Sequence, residues 1–446
     1  MDNIPAAALP LLQEFAPVFT QPTYQRFTLL LLAAILTTGR RTIANLLRTV
    51  GHLAPGDTAS YQRVLSQARW SGLRLSAVLC RLALRRLWPT GRVRLVGDDT
   101  VTEHRGQRVY GKARHRDPVR STKSYTAWRW GHKWVVLAVL VSFPFAGRPW
   151  ALPVLVALYR SPEDNRRRGR RHKTPAELMQ LLLRVLLRWF PDRHFVLAAD
   201  SNHGTHALAR FAQGQRGRLS LVSKFHPGAN LYEPPPPYDG KGRPRQKGAK
   251  LPSPRDVVAQ AARTCLRVAW YGGGTRRVEV VTGVGQWYKS GWGLVAVRWV
   301  FVHDLSGTHR DEYFYGTDVG LSARQIVEEY TGRWNIETTF QDCRAYLGLE
   351  TTRGWSRLTV LRAEPCLFGL YTVVALLYEQ LPPIVHEDWQ VLWLGKEKMA
   401  FSDAITAVRR WLWADWIFAT GGHDQAFAKL PQQLQEVLLY ALAPAA

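Results

Sequence analysis

The chain has 446 residues, 46% hydrophobic and 21% charged, enough to bury a large core across two or three domains. Its 60 Lys and Arg against 34 Asp and Glu leave a net charge of +26, which asks for a polyanionic partner. Nucleic acid is expected ahead of a membrane surface, because the basic residues run along the whole chain and not along one amphipathic segment.

The four cysteines, Cys80, Cys265, Cys343 and Cys366, make no CxxC pair, so a zinc ribbon is not expected and reduced cytosolic thiols are. The apolar run "LLLLAAIL" (29–36) is too short to span a bilayer, and "WVVLAVLVSF" (134–143) is followed by Pro144, Gly147, Arg148 and Pro149. The expectation is a soluble protein with no membrane contact.

Residues 1–90 carry Leu, Ile and Val at helical spacing. "TIANLLRTV" and "DTASYQRVLSQARW" are separated by Gly51, Pro55 and Gly56, with Asp57 or Thr58 placed to cap the second helix. Together with Arg40, Arg41, Arg48, Arg63 and Arg69 they read either as a helix-turn-helix DNA reader or as a bundle with a solvated basic face. From residue 92 the period changes. "RVRLVGDD" predicts a strand ending in carboxylates, followed by two apolar strands over 134–143 and 149–159. "NRRRGRRHK" (165–173) is a basic loop, either solvated or clamping DNA. Thr174, Pro175 and Glu177 start a helix with a capping box, "HFVLAAD" is a strand ending at Asp200, "THALARFA" a helix and "LSLVSKF" a strand. This is an α/β layout with a mixed sheet.

"EPPPPYDGKGRPRQKGAKLPSPR" is a basic, proline-rich loop, and "VEVVTGVGQWYKSGWGLVAVRWVFVHD" alternates like β-structure. A long helix, capped by Ser322 and Gln325, is expected to run to about Leu347, and residues from 360 onward are helical again. The boundaries are therefore a helical DNA-binding region at 1–90, a catalytic core at 91–225, a β-rich insertion at 226–292, the second part of the core at 293–358, and a C-terminal helical region at 359–446.

Asp98 and Asp200 at strand ends and Glu337 on the long helix are the candidate acids. Strand ends on one side of an α/β sheet converge, and a helix packed there can add a third carboxylate. Such a trio repels itself unless cations sit between, and oxygen ligands suit Mg²⁺ or Mn²⁺. Asp99 stays open as an alternative to Asp98. His203, close to Asp200, reads as a loop hydrogen-bonding residue or a DNA contact.

The motifs "VGDDT" (96–100), "LAADSNHG" (197–204) and "YTGRWNIETTFQDCR" (330–344) together resemble the insertion-sequence DDE transposases, which have a ribonuclease H-like core. The subgroup resembled carries a β-strand insertion and a Tyr-Arg-Glu-Lys signature. Tyr330, Arg333 and Glu337 fit that signature, and Arg344 stands where Lys is usual. The resemblance implies Asp98, Asp200 and Glu337 as catalytic residues and ligands of two Mg²⁺ or Mn²⁺ ions. It also implies hydrolysis at transposon ends, then attack of the freed 3′-OH on target DNA. Tyr330, Arg333 and Arg344 would hold end phosphates, Trp287 or Trp292 would stack on a flipped base, and Arg63 and Arg69 would contact DNA. The implied partner is double-stranded DNA, as terminal inverted repeats and as target, bound by a homodimer on paired ends at a bacterial nucleoid. Two other functions fit the same residues: a catalytically silent DNA-binding derivative, and a metal-dependent nuclease without strand transfer.

Overall fold

A computed structural model describes residues 5–117, 120–122, 124–238, 240, 242–381, 398–419 and 423–444. Asp239 and Lys241 of the proline-rich loop, and residues 382–397 of the C-terminal helical stretch, lie outside the described residues.

After a short helical turn at Leu9–Gln13 come α1 (Gln21–Leu36), α2 (Ile43–Val50), α3 (Thr58–Ser66) and α4 (Gly72–Leu87). Asp57 caps α3, accepting a bond from the Ser60 amide at 2.9 Å. Arg41 departs from the expected basic face. It is 5% exposed, and its guanidinium donates to the carbonyls of Ala34 and Gly39, joining α1 to the turn after it.

The strands are β1 (Val93–Glu103), β2 (Ala113–Arg116), β3 (Trp128–Val141), β4 (Trp150–Tyr159), β5 (Phe195–Ala199), β6 (Leu219–Lys224), β7 (Leu231–Tyr232), β8 (Thr264–Ala269), β9 (Thr275–Lys289), β10 (Gly293–Asp304) and β11 (Glu312–Gly316). All join one sheet, in the order β2-β3-β1-β5-β6-β11-β10-β9-β7, with β4 on β3 and β8 on β9. Within it, β4-β3-β1-β5-β6 has antiparallel β3 against both β4 and β1, then parallel β1-β5 and β5-β6. That polarity, with the third, second, first, fourth and fifth strands side by side, is a ribonuclease H-like core. The β-rich segment continues the sheet edge to edge, since β11 pairs with β6 and β10.

Helices α5 (Pro175–Trp189) and α6 (His206–Gln213) fall inside the core as read from the sequence, and Thr174 and Glu177 make the expected capping box. The helix expected from Ser322 to Leu347 is two helices, α7 (Ala323–Gly332) and α8 (Asn335–Tyr346). Arg333 and Trp334 lie between them with helical dihedrals, so the axis bends without unwinding. Helices α9 (Arg357–Gln380) and α10 (Phe401–Leu412) follow, then shorter ones at Asp424–Ala428 and Gln432–Leu442. Helix α9 has the length and apolarity of a membrane span, but 78% of its apolar window is buried inside the fold. It covers β4 and touches α4 and α10, so Leu30, Leu82, Val139, Val374 and Ile405 share one core. Burial on both faces explains why β3 and β4 read as unbroken apolar runs.

Faces are assigned by alternation along β1. A Cβ at Gly97 would come 2.6 Å from Met179 on α5, so that face is closed by α5. The next side chain, Asp98, points the other way, toward the bend between α7 and α8.

Candidate active site

The parallel pairing of β1 with β5 runs from Val93 opposite Phe195 to Gly97 opposite Ala199 and stops there. The next residue on each chain is an acid. Asp98 and Asp200 are therefore neighbours because of register, although far apart in sequence. The strand itself does not end at the carboxylates, as the sequence suggested: β1 stays paired with β3 out to Glu103 opposite Gly131. Only its β5 side is open, and that gap admits the acids.

Asp200 begins a tight turn. Its carboxylate accepts bonds from the His203 amide at 3.0 Å, from His203 Nδ1 at 2.8 Å and from Asn202 Nδ2 at 3.0 Å. Gly204 closes the turn, where a Cβ would fall 1.9 Å from Ser223 Oγ, so no larger residue fits. Burial alone would raise the Asp200 pKa, but the bond and charge of His203 outweigh it and hold the group below the ordinary carboxylate value. His203 is fully buried, and its Nε2 makes no hydrogen bond among the described residues but lies 3.9 Å from Asp99. Dehydration would lower its pKa, yet Asp200, Asp99 and Asp98 together raise it. The sequence leaves a loop hydrogen bond and a DNA contact open for this ring; in the structure its Nδ1 bonds the loop's own acid, Asp200. Only the fold shows that it also faces Asp98.

Asp98 bonds Arg333 Nη1 at 2.5 Å, and Arg333 Nη2 bonds Glu337 Oε1 at 3.0 Å. One guanidinium thus ties the first acid to the third. Asp99, on the opposite face of β1, pairs with Lys133 at 2.9 Å instead. Burial pushes the Asp98 carboxyl up to about 7, against the pull of Arg333 and with a further push from Asp200. Arg333 is 7% exposed; dehydration disfavours its charge, but Asp98, Tyr330 and Glu337 overcome this and raise its pKa.

The remaining signature residues face the protein. Tyr330 is 2% exposed and stacks on Phe314 with ring centroids 4.3 Å apart. Arg344 donates to Thr100 Oγ1 at 2.6 Å, to the Val101 carbonyl at 3.0 Å and to Glu350 at 2.9 Å, fastening α8 to β1. Arg333 and Arg344 therefore look at β1, and Tyr330 at the packed interior beside Phe314. Trp287 packs against His206, Phe225 and Tyr315 inside the sheet's cover. Trp292 is exposed at the β9-β10 turn. Arg63 and Arg69 are exposed on and just after α3.

A family profile described as "DDE superfamily endonuclease" matches residues 14–277. The chain belongs to the DDE superfamily endonucleases. The matched span includes Asp98 and Asp200 and ends before Glu337, so the third acid rests on the geometry alone. The structure is also similar to that of piggyBac transposase in a synaptic complex with hairpin DNA, at 9% identity and a TM-score of 0.41, over 95% of this chain and 77% of that one. No curated relative matches the sequence.

In this DDE superfamily endonuclease, Asp98, Asp200 and His203 each bring a donor atom within 4.8 Å of the other two. The set is rich in carboxylate oxygen, which suits a hard divalent cation. The raised Asp98 pKa indicates that Arg333 and His203 do not fully offset dehydration and the neighbouring carboxylate. A divalent ion would supply that missing charge, so the residues fit one.

A second group escaped the sequence reading. His104, His132 and Glu364, all buried, also bring donor atoms within 4.8 Å of each other. Glu364 Oε2 accepts from Thr102 Oγ1 at 2.7 Å and from the Trp134 indole, while Oε1 meets His104 Nε2 and, at 3.3 Å, His132 Nδ1. His132 Nε2 donates to the Tyr110 carbonyl at 2.9 Å. Burial alone would raise the Glu364 pKa, but His104 and His132 bring it down to about 2.

Proposed function

We propose that this chain is a DNA transposase of an insertion sequence, cutting the element's ends and joining the 3′-OH to target DNA with two Mg²⁺ or Mn²⁺ ions. The observation that carries the reading is the adjacency of Asp98 and Asp200 where β1 and β5 part, with Glu337 tied to Asp98 through Arg333. Asp98, Asp200 and Glu337 would hold the ions, and ions bound there supply the charge that activates a nucleophile and neutralises the leaving oxygen of a phosphodiester.

The chain's own side chains do the positioning. His203 donates its Nδ1 proton to Asp200 and fixes the orientation of that carboxylate. Arg333 must release Asp98 and Glu337 when cations enter, and its guanidinium is then free for a bidentate contact with a backbone phosphate. Tyr330 keeps it over the site, with the guanidinium carbon 5.7 Å from the ring centroid. Arg344 keeps Glu337 in reach by locking α8 on β1. The basic surface supplies non-specific attraction to duplex DNA, and paired ends would be held by a homodimer.

The test supplies duplex DNA carrying the sequences that flank the coding region, Mg²⁺ and a target plasmid. Wild-type protein is expected to give joined product. Glu337→Gln is expected to lower cleavage and joining by about a hundredfold or more. Cleaved ends that never join would make the protein a nuclease, and undiminished processing by Glu337→Gln would remove the three-acid centre from the reaction.

A further inference from the structure

The β2-β3 ribbon lies beyond the acids along the same sheet. Its two strands pair with Arg114 opposite Trp130 and Arg116 opposite Trp128. Those four side chains alternate with His115 and Arg129, so they share one face. The inward face is anchored: His115 is buried against Tyr159, and Arg129 pairs with Asp117 at 2.9 Å. The outward face is open, with Trp128 49% and Trp130 55% exposed, and Tyr125 just before them 65% exposed.

Two half-wetted indoles side by side, covered by no element among the described residues, are unusual on a protein surface. They are not an apolar patch for a protein partner, because cations sit against them. Arg114 lies 4.8 Å from the Trp128 ring centroid and Lys112 lies 5.5 Å from that of Trp130. Flat π-faces flanked by positive charge match a base stacked on a ring with its phosphate neutralised alongside. In a duplex the base faces are already stacked on each other, so only unpaired nucleotides offer what this face can take.

We propose that the outward face of the β2-β3 ribbon, built from Trp128, Trp130, Arg114 and Lys112, is a binding site for unpaired DNA. Trp130 is six positions along β3 from Val136, which pairs with Asp98, so the platform sits about 20 Å from the acids. That places it to hold a strand separated from its complement near a cut. The binding chemistry stands on the exposure and charge of the ribbon and does not depend on strand transfer.

The test is fluorescence anisotropy without divalent ions, using a labelled oligo-dT of about 15 nucleotides and a duplex of the same length. Trp128→Ala/Trp130→Ala is expected to weaken single-strand binding by at least about tenfold and to change duplex binding by less than about twofold. Trp128→Phe/Trp130→Phe is expected to retain most of the single-strand affinity, because a ring remains to stack. Unchanged single-strand binding by the Ala pair would overturn the proposal. So would an equal loss on single strand and duplex, which would reduce the ribbon to a general phosphate contact. Neither readout involves cleavage, so failure here and failure of the transposase reading are separate results.

Discussion

The group at Asp98, Asp200 and His203 starts from strand β1 and the group at His104, His132 and Glu364 from the residue just after it, and both set carboxyl groups beside imidazoles. Their electrostatics differ in sign. Glu364 has donors on both oxygens, from Thr102, Trp134, His104 and His132, and its pKa falls to about 2. Asp98, with its side chain 15% exposed against 2% for Glu364, is bonded by Arg333 and by one backbone amide, lies beside a second acid, and has its pKa pushed up to about 7. The more deeply buried carboxyl has the lower pKa, so burial by itself does not set the charge state; the supply of donors does. A satisfied group reads as a fastener, and one that is short of positive charge reads as a site.

The sharpest way to break this comparison is to remove the fastener. Glu364→Ala leaves the Trp134 and Thr102 donors and two imidazoles without their acceptor, and about 3–5 kcal/mol of stability should be lost in denaturant unfolding. A loss below about 1 kcal/mol would mean the cluster is not holding α9 to the strands.

The pH dependence should separate the groups next. With a folded pKa of about 2 below its ordinary value of 4.5, Glu364 contributes stability above pH 4.5 that disappears as pH falls toward 2. Asp98 acts in the opposite direction. Its folded pKa of about 7 lies above 3.8, so the folded state holds more protons between those values and stability falls as pH rises through that window. Asp98→Asn should flatten that fall, by up to a few kcal/mol in metal-free protein, while Glu364→Gln should flatten only the acid limb. Identical pH-stability curves for wild type and Asp98→Asn would contradict the raised pKa.

Arg333→Met takes the guanidinium from between Asp98 and Glu337. Isothermal calorimetry with Mn²⁺ should then show about tenfold tighter binding, since the ion no longer competes with a fixed cation. Weaker binding would mean that Arg333 organises the ligands instead of occupying their place. The smallest effect is expected from Arg344→Lys. The point charge stays, but the fork that reaches Thr100, Val101 and Glu350 is lost, for about 1 kcal/mol in a melting experiment.

Much of the core was legible from local pattern. The capping boxes at Thr174 and Ser322 follow from short-range bonds that residues three apart make in any context. The strands at 150–159 and 195–199 and the apolar part of β3, 134–141, were readable because apolar runs bounded by breakers leave few alternatives, whereas the polar start of β3 at 128–133 was not. Other features were not readable. The end of β1 was misjudged because polarity alone cannot show that Thr100 and Thr102 stay paired to β3. The bend at Arg333 leaves no local mark, since its dihedrals remain helical. Trp128 and Trp130 look like ordinary strand aromatics until a neighbour fails to cover them.

By itself the sequence determined the charge that seeks a polyanion, the alternation of strands and helices, and the two acids that close β1-side and β5-side motifs, because each depends on residues a few positions apart. Only the tertiary structure decided which carboxyl meets which cation. Asp98 with Arg333, Asp99 with Lys133 and Glu364 with two histidines are contacts across 34 to 260 residues of chain. Their energies depend on dehydration and donor count, which exist only once the sheet and its helices have closed around them.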